Sequence, residues 1–267
     1  MNLEIINSEG ESLILPQNDK LILQQWDGFA TPSHSLVTDK APDQIGSTVI
    51  NKVFDSRTIN IDFVINAENK QEVFNLRREV LRILNPIYDG GILKWTQNDD
   101  ITYQIGIELE NLQMPGGDGQ GKTFQLVQLS FLAEDPRWFD ENITTVNLNI
   151  NETTSFTNTG DTKTDFEITI NGPIVNPVIT NVNNGQKIRI NYNLLTNEKI
   201  IINTKFGNKN VKVVSPEGKE SRALNILDLE SELFYLGKKT NSIEVEGQGV
   251  NADTSVKIEF YNRYIGM

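Results

Sequence analysis

Short runs in which apolar and polar residues alternate, bounded by Gly, Asn, Asp and Pro, constrain this chain more than any other feature. In TINIDFVI, residues 58–65, Ile59, Ile61, Phe63 and Ile65 share one face while Thr58, Asn60 and Asp62 point the other way. ITYQIGIEL, residues 101–109, repeats the pattern with Ile101, Tyr103, Ile105, Ile107 and Leu109. A period of two places alternate side chains on the same side of a pleated strand. Both segments are therefore read as half-buried antiparallel strands.

One segment breaks the period. Between Asn66 and Leu84, Val73, Leu76, Val80 and Leu84 recur at steps of three and four, with Phe74 and Leu81 widening the stripe. The spacing predicts a helix capped by Asn66. Glu68 and Glu72 lie near its positive end, Arg77, Arg78 and Arg82 toward its negative end, and Asn85-Pro86 stops it. The arginines have two readings, a solvated face or a contact with a partner subunit.

GGDGQGKT, residues 116–123, satisfies the phosphate-loop pattern G-x-x-x-x-G-K-[ST]. Such a loop needs a helix after it, because the phosphates rest on the helix's N-terminal amides. The adjoining segment TFQLVQLSF, residues 123–131, is instead rich in β-formers, with a bulge expected near Leu126 where the parity slips. With strands on both sides, MPGGDGQG is read as the tip of a β-hairpin, and the nucleotide reading is set aside.

Beyond AEDPRWFDE, residues 133–141, the chain becomes dense in Asn and Thr, which places a domain boundary near 135–140. Trp138 is either an anchor for this joint or a ligand-stacking residue. FEITI (166–170), KIRINY (187–192), KIIINT (199–204), VKVV (211–214), SIEVE (242–246) and VKIEFY (256–261) then read as strands separated by turn signals. NILDLESELFYL (225–236) has room for a short helical turn. The expected fold is mainly β. An antiparallel N-terminal domain with one helix (α+β, residues 1–135) precedes a β-sandwich (residues 136–267).

Catalytic chemistry finds little to work with. Cysteine is absent, which removes disulfides, thiolate metal sites and thiol nucleophiles, and His34 is the single histidine, in the loop-like ATPSHSLV. Asp99, Asp100 and Asp253 are too scattered for a calcium loop, and no spacing selects a carboxylate pair among the 36 acidic residues. A net charge of −12 disfavours a surface built to neutralise phosphates. MNLEIINSEGESLIL lacks the basic and apolar regions of a signal peptide, so synthesis and retention in a cytoplasm are expected. No catalytic, cofactor-binding or metal-binding residue is assigned.

The run QLVQLSFLAEDPRWFDE, followed by NPVITNV, KIIINTKFGNKNVKV and NSIEVEGQG and ending in KIEFYNRYIGM, resembles the distal tail protein family of long non-contractile-tailed phages. The resemblance spans the chain: a strand–helix–strand part, a D-P-x-W/Y joint, and a galectin-like C-terminal sandwich. It implies a structural protein of the virion tail tip, made in the host cytoplasm. N-terminal domains would form a hexameric ring joining the tail tube protein to the tail-tip or baseplate hub protein, with the C-terminal domains outward. A receptor-binding protein would be a further partner, with no direct nucleic-acid binding and no membrane insertion. The hairpin tip Met114–Gly121 would lie at a ring surface, and the helix and neighbouring strand edges would supply part of a heterologous contact. An acidic balance would suit a channel that DNA traverses without sticking.

The galectin likeness also implies a second reading, a carbohydrate-binding module for host-surface recognition. The usual galectin site uses an H-x-N-P-R strand and a W-G strand. Here no histidine follows His34 and the last tryptophan is Trp138, so that site is missing. Tyr192, Phe206, Tyr235 and Tyr261 are left as residues that could stack on a saccharide.

Overall fold

The computed structural model describes residues 2–97 and 101–267. Among the described residues the strand ladders with a defined register are antiparallel, Ile150 and Val245 form an isolated parallel bridge, and the strands divide into two compact units. One unit runs to Glu141 and includes Ile265–Met267; the other is Asn142–Tyr264.

The first unit contains β1 (Asn2–Asn7), β2 (Ser12–Leu15), β3 (Leu21–Asp27), β4 (His34–Asp39), β5 (Thr48–Phe54) and β6 (Arg57–Asn66). Helix α1 (Lys70–Ile83) comes next in the chain, then β7 (Gly91–Thr96), β8 (Thr102–Gln113), β9 (Phe124–Ala133) and β10 (Trp138–Asp140). The main sheet has the order β2-β1-β7-β8-β9-β6-β3. Its two end strands are consecutive in sequence and joined by a tight turn with a Gln17–Leu21 bridge. The sheet therefore curls toward closure, and its inner face becomes the core. On β6 the alternation holds without a break, since Ile59, Ile61, Phe63 and Ile65 are all fully buried. Each contributes about 1.5–3 kcal/mol of transfer free energy, as an upper bound.

Local departures from the sequence expectations have local causes. The bulge lies on β8 rather than β9: pairing with β9 shifts between Leu109 and Asn111, leaving Glu110 as the extra residue. β9 keeps an unbroken register with β6 from Phe124 to Ala133. The parity slip arises because Gln125, a polar residue, occupies the inward position. Its Nε2 donates to the carbonyls of Pro115 at 2.9 Å and Gly119 at 3.1 Å, holding the glycine-rich tip against the strand. Gly117 there has φ +63°, the left-handed region that a side chain rarely adopts. β8 and β9 flank the tip as a hairpin, so the GGDGQGKT segment has no helix at its end. Gln104 is buried where β10 pairs alongside β8 at Phe139, and Ile101, which precedes β8, is exposed.

α1 begins later than the spacing predicts. Its cap is Asn69, whose Oδ1 accepts from Glu72 N at 3.0 Å, while the side chain of Asn66 donates to Asp19 O. Val73, Val80, Ile83 and Leu84 are buried, but Phe74 and Leu81 face away from the core. Asn69→Ala is expected to cost about 1 kcal/mol in urea unfolding, the usual value of an N-cap. Lys20 and Glu72 pair at 2.8 Å, and the hydrogen bond from Lys20 holds the Glu72 carboxyl below its ordinary value. A depressed carboxylate stabilises the fold above its unfolded pKa and loses that contribution as pH falls through the folded value. Glu72→Gln should therefore flatten the acid limb of the stability profile slightly, measured by urea midpoints between pH 3 and pH 6, about the range over which carboxylates titrate.

The second unit contains β11 (Thr144–Leu148), β12 (Thr153–Asn158), β13 (Phe166–Asn171), β14 (Ile174–Asn181), β15 (Lys187–Arg189) and β16 (Asn193–Leu194). It continues with β17 (Lys199–Asn203), β18 (Asn210–Val214), β19 (Glu220–Arg222), β20 (Lys239–Gln248) and β21 (Ser255–Phe260). One sheet has the order β11-β21-β13-β17-β18-β19 and the other β12-β20-β14-β15, with β16 also on β14. Ile168, Ile200 and Ile258 from the first sheet share one buried cluster with Ile179, Ile243 and Val245 from the second, which makes the unit a β-sandwich. The Asn/Thr-rich segment supplies an edge strand to each sheet, where β-branched threonines suit a half-wet position. A 3-10 turn forms at Leu224–Ile226.

Candidate assembly interface

β4 and β5 pair with each other and form a separate two-stranded sheet. Every residue of both strands is exposed. Register places His34, Leu36 and Phe54 on one side and Val37 and Val53 on the other, so both faces present apolar side chains to water. His34 is thus a strand residue rather than a loop residue, with its ring edge-on to Phe54 at 6.1 Å. An isolated two-stranded ribbon is marginally stable in water, and one with apolar residues on both faces is a surface waiting to be covered.

The root of this arm is held by hydrogen bonds. Asp55 N donates to Ser33 O at 3.0 Å, which brings the two ends of the arm together. Beside it Arg57, 3% exposed, donates Nη1 to the carbonyls of Gly28 (2.7 Å), Phe29 (2.9 Å) and Ala30 (2.7 Å). Its Nη2 donates to Ile265 O. Burial pushes this guanidinium down to about 10. Gly28 has φ +88°, and a Cβ there would lie 2.2 Å from Thr58 O, so the loop meets β6 backbone to backbone. Phe29 is covered by Trp138 at 5.1 Å and by Trp95 at 5.9 Å between ring centroids. Trp138 is fully buried, and of its two readings the anchor is the one the geometry supports.

Other candidates are dispersed. Among the described residues no group of three His, Cys, Asp or Glu could hold a metal ion. Asp99 and Asp100 lie outside the described residues, and Asp253 sits in a turn held by Asn251 Oδ1. Tyr192 packs against the sandwich core and Phe206 is 85% exposed in a turn. Tyr235 lines an open cleft of about 490 Å³, with Lys163 and Lys209 at 5.1 and 5.6 Å from its ring. The arm left no signal in the sequence because alternation marks one buried face, and HSLVTD and TVINKVF bury neither.

Two family models match the chain: a phage tail protein RIFT-related domain over residues 8–171, and the C-terminal domain of a siphovirus-type tail component over residues 157–264. No curated protein matches it by sequence. Among solved structures it is similar in fold to SPP1 Dit (gp 19.1), described as a paradigm of the hub adsorption apparatus in Gram-positive-infecting phages. The TM-score is 0.73 at 13% identity, over 98% of each chain. A chain of the phage P2 baseplate in its activated conformation with Ca matches with TM-score 0.57 at 9% identity over 100% of each chain. The phage p2 baseplate with Sr gives 0.54 at 10% identity over 97% of each chain. With the RIFT-related model alone covering more than half of its residues, the chain belongs to the siphophage distal tail protein family, structural components of the phage tail.

Proposed function

We propose that this protein is a non-enzymatic hub of the virion tail tip, made in the host cytoplasm, whose N-terminal residues 1–135 close into a hexameric ring. The ring joins the tail tube protein to the tail-tip or baseplate proteins, and residues 136–267 form a galectin-like peripheral sandwich that offers an attachment surface. The observation that carries this reading is the arm of β4 and β5: a ribbon hydrogen-bonded at its root, with apolar residues exposed on both faces. The structural neighbours named for hub and baseplate assemblies support the same placement. An arm on every copy is satisfied when each copy receives the arm of the next, which is a heterologous contact that closes into a ring. Light scattering on the purified protein should give six times the subunit mass, and negative-stain images should show rings with a central hole. A stable monomer at high concentration would overturn the proposal.

A second reading is favoured by the cleft at Tyr235, where an aromatic ring has two lysines close to it in a chain of net charge −12. Amides also line it, but several are spent internally: Asn241 on Gly237 and Lys239, and Gln186 on Glu232. Calorimetry with acidic and neutral saccharides should show heat for the acidic set and lose it in Tyr235→Ala. Absence of binding to either set leaves the sandwich as an attachment module.

A further inference from the structure

An arm with a fixed root and an exposed tip needs a receiving surface, and α1 carries one. We infer that the tip of the β4–β5 arm seats on the outer face of α1 in a second copy of this chain; the inference rests on the ring reading.

The tip is held in shape. Gln44 accepts from Ala41 N through Oε1 at 3.0 Å and donates from Nε2 to Thr48 Oγ1 at 3.0 Å, while its own N donates to Ala41 O at 3.1 Å. This loop projects Ile45, which is fully exposed, with Asp39 and Asp43 against the single basic residue Lys40. A loop that fixes its own shape around an exposed isoleucine is preorganised for insertion, which reduces the ordering cost of binding.

The outer face of α1 is complementary. Phe74, Arg77, Arg78 and Leu81 fall at i, i+3, i+4 and i+7, so they form one stripe along the helix. Phe74 is 54% and Leu81 46% exposed, and the two arginines lie between them. Neighbouring charges are engaged within the chain, Arg82 with Glu11 and Glu72 with Lys20, whereas Arg77 and Arg78 form no ion pair among the described residues. An apolar knob flanked by carboxylates thus has a counterpart in an apolar stripe flanked by guanidiniums. Both halves of the contact occur on every copy, and their apolar members Ile45, Phe74 and Leu81 are exposed on the single chain. The exposed apolar residues on β2 and β3, Ile14, Ile22 and Trp26, offer no such match, because the nearby Lys20 is already paired.

The natural chain has no cysteine, so introduced thiols report one contact at a time. Full-length Ile45→Cys and Leu81→Cys proteins, mixed, assembled and oxidised, should yield a disulfide-linked dimer that neither variant gives alone. The double variant should give a ladder reaching the size of the ring. Both positions are exposed, and an unchanged unfolding midpoint confirms that each variant folds. As a second readout, Arg78→Glu should lower assembly at least tenfold in midpoint concentration, and Asp43→Arg on the same chain should restore it. Rings that form without the cross-link and tolerate Arg78→Glu would overturn this contact and leave the ring reading intact. A protein that stays monomeric would overturn both.

Discussion

Replacing Arg57 with alanine should lower the stability of the first unit by about 3–5 kcal/mol, the range for breaking a buried charged network. The guanidinium is 3% exposed and donates to four backbone carbonyls, those of Gly28, Phe29, Ala30 and Ile265. Alanine removes this donor from all four carbonyls in a site sealed by Phe29 and Trp138; Phe29 O keeps the Met267 N–H at 3.0 Å, while a buried polar group left unsatisfied costs about 1–3 kcal/mol. The total stays below the simple sum because water can enter the space vacated by the side chain. Arg57→Lys should recover only part of the loss, since an ammonium cannot span carbonyls that a planar fork reaches from two nitrogens. All three tryptophans, Trp26, Trp95 and Trp138, belong to the first unit, so their fluorescence in urea reports on it alone. A midpoint within about 0.5 kcal/mol of the natural protein, the scatter of an ordinary surface substitution, would show that the clamp is dispensable.

That clamp was not legible in the sequence, for a reason that separates local from distant information. β6 was legible because one face is buried along its length, and burial writes itself into the chain as alternation. Helix α1 was legible from its inner stripe of Val73, Val80 and Leu84. Phe74 and Leu81 read as part of the same stripe because hydrophobicity alone does not tell a buried face from an exposed one. The character of the strand after it sets the phosphate-loop pattern aside, whereas Gln125, which holds that hairpin tip, reads in the sequence like any surface glutamine. Arg57 draws its partners from residues 28–30 and from Ile265, more than two hundred positions away. No pattern within a strand encodes that meeting. The arm is illegible for the opposite reason: a ribbon with two wet faces has no period to read.

Excising the arm should abolish the proposed ring assembly and leave the fold intact. Its strands pair with each other and bury nothing in the core, and Ser33 O already accepts from Asp55 N at 3.0 Å, so the cut ends lie side by side. A two-residue Asn-Gly turn can close that gap, because its backbone twist matches the strands it joins. Shortening the connection lowers the entropy of closing the loop, a gain on the order of 1 kcal/mol, and Arg57 keeps all of its acceptors. The tryptophan-detected midpoint should therefore stay level or rise slightly, while light scattering moves from the ring to the monomer. Arg57→Ala should show the reverse order of effects, with the fold weakened first and assembly lost only as the root of the arm loosens. Rings that persist without the arm would shift the contact to the sheet edges or the helix. Loss of both fold and assembly would mean that the ribbon supports its own subunit, despite the exposure of every one of its residues.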